Sequence, residues 1–221
     1  MNLESVSITR IAPELHIVLC HGFGASKHDL AGLVEWLDPD SRFDWHFPQA
    51  PMPLPGFGGW AWFPREAAEL LKTMSGEYFS HLESINDPGL DASATEVLAL
   101  VRSLALPESR LVIGGFSQGS MVALRTVLTG DIHPAGLAIL SGSLIDRAGT
   151  VRGLSGATPC PVFQSHGRSD QVLAIEGARA LRGLLEEATF PLEWCEFAGG
   201  HEINEAVVRK FSRFLEERAK A

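Results

Sequence analysis

The sequence predicts an α/β fold in which helices cover both faces of a mostly parallel central sheet. Two observations support this class. Short apolar runs alternate with longer stretches of helical periodicity along most of the chain. The runs are apolar throughout, which is typical of strands that are buried on both faces. We expect residues 1–221 to form one domain of this kind.

The predicted strands are short apolar segments bounded by turn residues. Residues 15–20 read LHIVLC and form the first clear strand, and residues 42–47 form a weaker one. Residues 3–11 are a candidate edge strand. The remaining strands are predicted at residues 110–114, 136–141, 161–166 and 192–197.

Helices are predicted between these strands, at residues 27–37, 92–106, 118–129, 173–188 and 202–219. The last of them carries an apolar stripe on one face, formed by Ile203, Val207, Phe211, Phe214 and Leu215. Ligands of open parallel sheets bind outside the carboxyl ends of the strands. The chemistry of this chain is therefore expected just after each strand.

Residues 48–90 interrupt the alternation of strands and helices. The segment begins QAPMPLPGFGGWAWFP, which is too rich in proline and glycine for a long regular element. It is an excursion of about forty residues, which is long for a loop. Because disordered segments are poor in aromatic residues, its tryptophans indicate an ordered loop beside a binding site.

Composition excludes several classes of function. A net charge of −9 and a pI near 5.3 argue against binding to nucleic acid or to anionic lipid.

The cysteines and histidines exclude two further classes of site. The three cysteines are far apart, so a disulfide framework is not expected. No two histidines are spaced four residues apart on a helix, so a metal site is not expected. Residues 1–10 are not expected to be a signal peptide, and no apolar run is long enough to span a membrane. A cytoplasmic protein is expected.

The motif G-x-S-x-G at residues 115–119 gives the main indication of chemistry. The pattern alone is weak, but here a predicted strand precedes it and a predicted helix follows it. A sharp turn between such elements exposes Ser117 at the carboxyl edge of the sheet, and Gly115 and Gly119 remove side chains that would clash there. Ser117 is therefore a candidate nucleophile, and a glycine-rich turn without catalysis is the alternative.

A serine nucleophile needs a base, and the base needs a carboxylate that orients it. Asp170 follows the strand at 161–166, and His201 follows the strand at 192–197. The chain order serine, acid, histidine is that of one class of hydrolases. The alternatives are that Asp170 is only a turn residue and His201 only an exposed helix start. His21 and His166 also follow strands, but each precedes a glycine and is expected to shape a turn.

Acyl transfer also needs donors for the oxyanion that forms on the substrate. The loop at residues 21–24 reads HGFG and follows the first strand, so its backbone can approach a substrate closely. We assign the two donors to the backbone N–H groups of Phe23 and Gln118. A tight turn with no catalytic part is the alternative for the HGFG loop.

These motifs together resemble the phospholipase/carboxylesterase family of α/β-hydrolases. They are HGFG, GGFSQGS, LSGSL, HGRSD and GGHE, in that order, and they extend from position 21 to position 202. WAWF at residues 60–63 resembles the tryptophan-bearing loop of the family. The chain departs from the family at Ala25-Ser26, where an acidic residue is usual, and at Gln171, where proline is usual.

The resemblance implies an α/β-hydrolase fold and the hydrolysis of short- to medium-chain acyl esters without a cofactor. It leaves thioesters and lysophospholipids open as substrates and a homodimer open as the assembly. By this resemblance Ser117, Asp170 and His201 match the catalytic triad, and Phe23 and Gln118 match the oxyanion donors. The candidate walls of an acyl pocket are the aromatic residues of the long loop, namely Phe57, Trp60, Trp62 and Phe63. The alternative for these aromatics is ordinary core.

Two other functions are weighed against a serine carboxylesterase. A dienelactone hydrolase-like or peptidase-like enzyme is disfavoured, because the first is expected to use cysteine and the second an additional domain. A non-catalytic small-molecule-binding protein of the same fold would be expected to have lost a triad residue, and this chain keeps Ser117, Asp170 and His201.

Overall fold

The structure, a computed structural model, describes residues 3–56, 58–64 and 82–221. The strands of its main sheet are β1 (Ser5–Ile8), β2 (Leu15–Cys20), β3 (Phe43–Pro48), β6 (Leu111–Phe116), β7 (Gly136–Leu140), β8 (Val162–Gly167) and β9 (Leu192–Phe197). A separate hairpin is formed by β4 (Met52–Leu54) and β5 (Gly59–Ala61), which lie in the excursion after β3.

The main sheet has the order β1-β3-β2-β6-β7-β8-β9. Every neighbouring pair from β3 to β9 is parallel, and the edge strand β1 is antiparallel to β3. The predicted mostly parallel sheet and its edge strand are confirmed. The chain adds β3 on one side of β2 and then returns to place β6 on the other side. The topological switch point, where ligands of such sheets bind, therefore lies between β2 and β6.

The helices of the described chain are α1 (Val34–Leu37), α2 (Pro88–Ser103), α3 (Gln118–Thr129), α4 (Arg147–Gly156), α5 (Ile175–Glu187) and α6 (Glu205–Ala219). Short 3-10 turns cover Ala31–Leu33 and Glu108–Arg110. None of the helices in the described ranges is long and apolar enough to cross a bilayer.

Two apolar clusters cover the two faces of the sheet. On one face α1 and α6 pack through Leu37 and Phe211 against alternate strand residues such as Trp45 and Phe163. On the other face α2, α3, α4 and α5 share a cluster with strand residues that include Ile113. Each central strand contributes to both clusters, which explains why these segments are apolar throughout rather than alternating.

Side-chain caps decide where two of the predicted helices begin. α2 starts at Pro88, earlier than predicted, because Asp87 accepts a hydrogen bond from the Gly89 N–H and proline suits the first helical position. α6 starts at Glu205, later than predicted, because Asn204 caps it through the Val207 N–H.

Two helices differ more from prediction. The single helix expected over residues 27–37 is wrong: a 3-10 turn precedes the four-residue α1, and Ser26 and Asp29 bond to each other instead of continuing a helix. α4 was not predicted, because Gly149, Gly153 and Gly156 weaken its helical signal. The cap by Asp146 and the packing against α3 provide the stability that the helical propensity of this segment does not.

Candidate active site

Ser117 occupies the sharp turn between β6 and α3. Its backbone has φ 54° and ψ −120°, which a residue with a side chain rarely adopts. The Ser117 N–H donates to the carbonyl of Leu140 at 2.9 Å, and its own carbonyl accepts from the Ser120 hydroxyl at 2.6 Å. These contacts with β7 and with the first turn of α3 hold the strained serine at the carboxyl edge of the sheet.

The glycines on either side of the serine are needed for close packing. A Cβ at Gly115 would lie 2.4 Å from the backbone of Gly119, and a Cβ at Gly119 would lie 2.3 Å from the carbonyl oxygen of Cys20. Real Cβ atoms do not approach backbone atoms so closely. The two glycines thus allow α3 to begin directly against the ends of β6 and β2, as predicted from the motif.

His201 lies between Ser117 and Asp170. Its Nε2 is 2.8 Å from the Ser117 Oγ, and its Nδ1 is 2.7 Å from Asp170 Oδ2. Because a carboxylate only accepts, we assign the proton to Nδ1, which donates to Asp170. Nε2 then accepts from the serine hydroxyl. The three residues that the sequence predicts as a group are joined in one hydrogen-bonded chain.

Asp170 uses its two carboxylate oxygens differently. Oδ2 faces His201, and Oδ1 accepts the backbone N–H groups of Val172 and Leu173, each at 2.8 Å. Burial on its own raises the pKa of Asp170, but the hydrogen bonds from His201 and the two N–H groups outweigh it and leave the pKa below its ordinary value. Asp170 is therefore held as a carboxylate. Its Oδ1 also stabilises the turn at Val172 and Leu173, so Asp170 is a turn residue as well as the partner of His201.

The loop after β9 brings His201 to the serine. β9 lies three strands from β6, a distance of about 14 Å, so the chain must return across the edge of the sheet. Residues 198–204 cover this path before α6 begins. The ring of Phe116 packs against the imidazole with centroids 4.8 Å apart, and the Ser141 hydroxyl donates to the carbonyl of Glu202. The first contact packs against the imidazole ring, and the second holds the backbone of the residue after His201.

His166 lies behind Asp170 and is fully buried. Its Nε2 is 2.6 Å from the Leu173 carbonyl, so that nitrogen carries the proton, and it lies 3.3 Å from Asp170 Oδ2. Burial lowers the pKa of His166. As predicted for a residue that shapes a turn, His166 bonds locally, and it connects the end of β8 to the loop that presents Asp170.

The two candidate oxyanion donors lie on opposite sides of the switch point. Phe23 follows β2, and Gln118 is the first residue of α3. Neither backbone N–H has a hydrogen-bond partner within the residues that the structure describes. The HGFG loop is fixed by the hairpin, because the Gly24 N–H donates to Trp60 at 2.9 Å and the Trp60 N–H donates to Ala25 at 3.0 Å.

His21 supports this loop in a way that its sequence context did not reveal. Its Nε2 lies 3.1 Å from the Ala50 N–H and 3.2 Å from the side-chain amide of Gln49, so Nε2 is the acceptor. Nδ1 then carries the proton and donates to the Gly22 carbonyl at 2.8 Å. Burial lowers the pKa of His21, which favours this neutral form. No signal in the sequence links His21 to Gln49, because the contact depends on where β3 ends.

The aromatic residues of the long loop have unequal access to the site. Trp62 and Phe63 are 1% and 0% exposed and belong to the core cluster on the α2 and α3 side of the sheet. Their side chains therefore have no surface free for a substrate in this conformation. Trp60 is partly exposed, and Phe57 lies outside the described residues. Of the described loop aromatics, Trp60 alone keeps surface that a substrate could contact. Its part in binding the acyl chain stays a prediction.

The side chain of Gln118 ties the WAWF segment to the serine turn. Its Oε1 accepts the Trp62 N–H at 2.9 Å, and its Nε2 donates to the Phe63 carbonyl at 3.0 Å. The Trp62 indole also donates to the carbonyl of His21 at 2.7 Å. The segment after β5, the serine turn and the HGFG loop are thus connected by buried hydrogen bonds.

A serine in a strained strand-to-helix turn, bonded through histidine to an acid after a later strand, defines the α/β-hydrolase class. A profile of the phospholipase/carboxylesterase family matches residues 1–218. The chain belongs to this family, and it is a hydrolase of the carboxylic ester class.

Individual relatives agree with this family. The chain is 29% identical over 237 aligned residues to acyl-protein thioesterase 1 of Mycosarcoma maydis, with 94% of this chain and 92% of that protein covered. It is 31% identical over 170 residues to acyl-protein thioesterase 1 of Eremothecium gossypii, with coverage of 74% and 69%. The crystal structure of esterase PE8 superposes with a TM-score of 0.83 at 23% identity, covering 98% of this chain and 99% of that one. That last likeness concerns the fold.

Proposed function

We propose that this protein is a serine carboxylesterase that hydrolyses short- to medium-chain acyl esters through an acyl-enzyme on Ser117. The observation that carries the proposal is the position of His201, whose two ring nitrogens lie 2.8 Å from the Ser117 hydroxyl and 2.7 Å from the Asp170 carboxylate. A base at hydrogen-bond distance from a nucleophile, itself oriented by an acid, is the arrangement that acyl transfer requires.

In the first half of the proposed reaction, Ser117 Oγ attacks the acyl carbonyl while its proton passes to His201 Nε2. The imidazolium that forms is stabilised by Asp170, which stays ionised. The carbonyl oxygen becomes an oxyanion facing the N–H groups of Phe23 and Gln118, each of which is worth roughly 3–4 kcal/mol of transition-state stabilisation. Collapse of this intermediate breaks the ester bond, and His201 returns the proton to the leaving alcohol.

In the second half, water takes the place of the alcohol. His201 removes a proton from the water as it attacks the acyl carbon, and the same two N–H groups receive the second oxyanion. The bond to Ser117 Oγ then breaks, and His201 returns the proton to the serine. The products are a carboxylic acid and the free enzyme. The nucleophile, the base and the oxyanion donors of both halves are residues of this chain.

The acyl portion of the substrate is proposed to pack near Trp60, which is the described loop aromatic with exposed surface. Each methylene buried there contributes about 0.8 kcal/mol. The relatives named acyl-protein thioesterase 1 favour thioesters as a second substrate class. Matched acetyl to dodecanoyl esters and thioesters, compared by kcat/KM, distinguish the two classes and give the preferred chain length.

The proposed nucleophile is tested by Ser117→Ala with p-nitrophenyl acetate and butyrate as substrates. We expect kcat to fall by about 10⁴-fold or more, because the serine and histidine of such a triad act as a unit. A fluorophosphonate probe is expected to label the wild-type protein and not the variant. Asp170→Asn, which keeps an acceptor for the turn, is expected to lower kcat by about 10⁴-fold.

Ser155→Ala is the matched control, because Ser155 is exposed and its hydroxyl donates to the Val151 carbonyl one helical turn away. It should keep wild-type activity and labelling. Hydrolysis by Ser117→Ala at a rate near that of this control, or equal labelling of the two variants, would show that Ser117 is not the nucleophile.

A further inference from the structure

A group of metal-binding side chains lies on β2 and β3, away from Ser117. Asp44 and His46 are two residues apart on β3, so they project from the same face of the strand. His16 on β2 is directly opposite Asp44 in the parallel register, and Val18 is opposite His46. One ligand atom from each of His16, Asp44 and His46 lies within 4.8 Å of the others.

Two atoms of this group, His46 Nδ1 and Asp44 Oδ1, already have hydrogen-bond partners. The Ser7 hydroxyl on β1 lies 3.0 Å from His46 Nδ1, and the Arg10 N–H donates to Asp44 Oδ1 at 2.6 Å. If the proton of His46 is on Nδ1, its Nε2 carries a free lone pair. Hydrogen bonds of this kind to the far side of a ligand are what orient histidine and carboxylate at metal sites.

Two ring nitrogens of this group are buried and lack hydrogen bonds within the described residues. His16 and His46 are 9% and 5% exposed, and His16 Nδ1 and His46 Nε2 have no hydrogen-bond partner within the described chain. His16 Nδ1 lies 3.2 Å from Asp44 Oδ2, but the contact is not aligned as a hydrogen bond. A buried nitrogen without a partner is costly, so the two unpaired ring nitrogens of His16 and His46 require an explanation.

We propose that His16, Asp44 and His46 bind a divalent first-row transition metal, with Zn²⁺ as the ion that the donor set fits best. Two imidazoles and a carboxylate suit zinc, which accepts three protein ligands and a water. Bound zinc would give both unpaired nitrogens a partner and would neutralise the Asp44 carboxylate. No metal is predicted from histidine pairs with helical spacing, whereas Asp44 and His46 have the two-residue spacing of one face of a strand.

The dimensions agree with a tetrahedral ion. Ligands bonded at about 2.0–2.1 Å lie roughly 3.3 Å apart, close to the 3.2 Å between His16 Nδ1 and Asp44 Oδ2. The ligand atom of His46 lies within 4.8 Å of the other two.

The site is expected to stabilise the fold rather than to take part in ester hydrolysis. His16 is near the start of β2, about 16 Å of strand before the HGFG loop at its other end. The ligands connect β2 to β3, and Ser7 extends the contact to the edge strand β1. Binding to the folded chain alone would raise its stability by mass action.

The test is a zinc titration of the full chain after removal of metal with a chelator. We expect one Zn²⁺ per chain by elemental analysis, a higher thermal midpoint on zinc addition, and an affinity at least about tenfold weaker in His46→Gln and in Asp44→Asn. Replacing zinc with Co²⁺ should give the visible bands of a four-coordinate ion, and both variants should lose them. His28→Gln, an exposed histidine outside the group, and His201→Gln at the proposed active site are controls that should bind zinc as the wild type does.

A crystal of the zinc-treated wild-type protein gives a measurement that needs no variant. An anomalous peak at bonding distance from His16, Asp44 and His46 would support the proposal. No bound zinc in the wild type, an unchanged zinc affinity in folded Asp44→Asn, or a peak located elsewhere would overturn it. Such a result would mean that His16, Asp44 and His46 only pack together between β2 and β3.

Discussion

Gln118 contributes to the site through two separate parts of the residue. Its backbone N–H, at the start of α3, is the proposed oxyanion donor. Its side chain instead bonds to the backbone of Trp62 and Phe63 in the WAWF segment. Because every residue except proline supplies the N–H, the identity of the residue matters for the side-chain contacts. Glutamine at this position is therefore explained by the attachment of the long loop to the serine turn.

Gln118→Ala is expected to keep the backbone N–H and lose the attachment. Two buried backbone groups would be left without partners, at about 1–3 kcal/mol each. We expect the free energy of unfolding to fall by about 2–5 kcal/mol, measured with a denaturant, and kcat/KM for p-nitrophenyl butyrate to fall far less than in Ser117→Ala. Gln171→Ala, at an exposed glutamine, is the control. Equal stabilities for the two variants would contradict this account of Gln118.

At the scale of an element, α4 is a helix that is stabilised by tertiary contacts. Asp146 caps its first turn through the Gly149 N–H and forms a buried ion pair with Arg125 of α3 at 2.7 Å. Arg125 also reaches Asp91 of α2 at 3.3 Å. Burial raises the pKa of Asp146, but the bonds from Arg125 and Gly149 outweigh it and bring the pKa below its ordinary value. One arginine thus joins three helices on the same face of the sheet.

Arg125→Met is expected to leave Asp146 buried without its cation. Removing one partner of a buried pair costs about 3–5 kcal/mol of unfolding free energy. The matched control is Arg209→Met, which removes an exposed pair with Glu205 one turn away on α6, and which should cost about 0.5 kcal/mol or less. Denaturant unfolding of both variants measures the difference. A loss in Arg125→Met no larger than in Arg209→Met would show that the pair does not hold α4.

At the scale of the whole molecule, buried histidines couple stability to pH. His21 and His166 lie in the interior at the ends of β2 and β8, and burial lowers the pKa of each from 6.5. In the unfolded chain both return to about 6.5, so the unfolded state binds more protons below that pH. The stability that they support is complete above pH 6.5 and is lost as the pH falls towards the lowered values. The lowered pKa of Asp170 acts in the same direction at more acidic pH.

The unfolding free energy is therefore expected to fall between pH 7 and pH 5. Each unit of lowered pKa contributes about 1.4 kcal/mol to the total loss. His166→Asn should unfold with a shallower pH dependence than the wild type, although it is less stable at pH 7. His28→Asn, at an exposed histidine, should keep the wild-type slope. An unchanged slope in His166→Asn would mean that His166 is not the buried neutral group described here.

Much of the fold could be predicted because its signals are local. Apolar runs located the strands, and the motifs located Ser117, Asp170 and His201 after their strands. Other features could not be predicted because they depend on distant partners. α4 is stabilised by the pair of Arg125 and Asp146. Trp62 and Phe63, which were expected to line an acyl pocket, are instead buried in the core on the α2 and α3 side of the sheet.

By itself, the sequence determined the α/β class, the order of serine, acid and histidine, and the elements that carry them, since strand periodicity and glycine turns act over a few neighbouring residues. Only the tertiary structure decided which distant residues meet. It placed His201 at the serine, although β9 is three strands from β6, and it brought His16 of β2 opposite Asp44 of β3. Strand order and register govern these contacts, and they are set by the packing of the whole sheet rather than by any single segment.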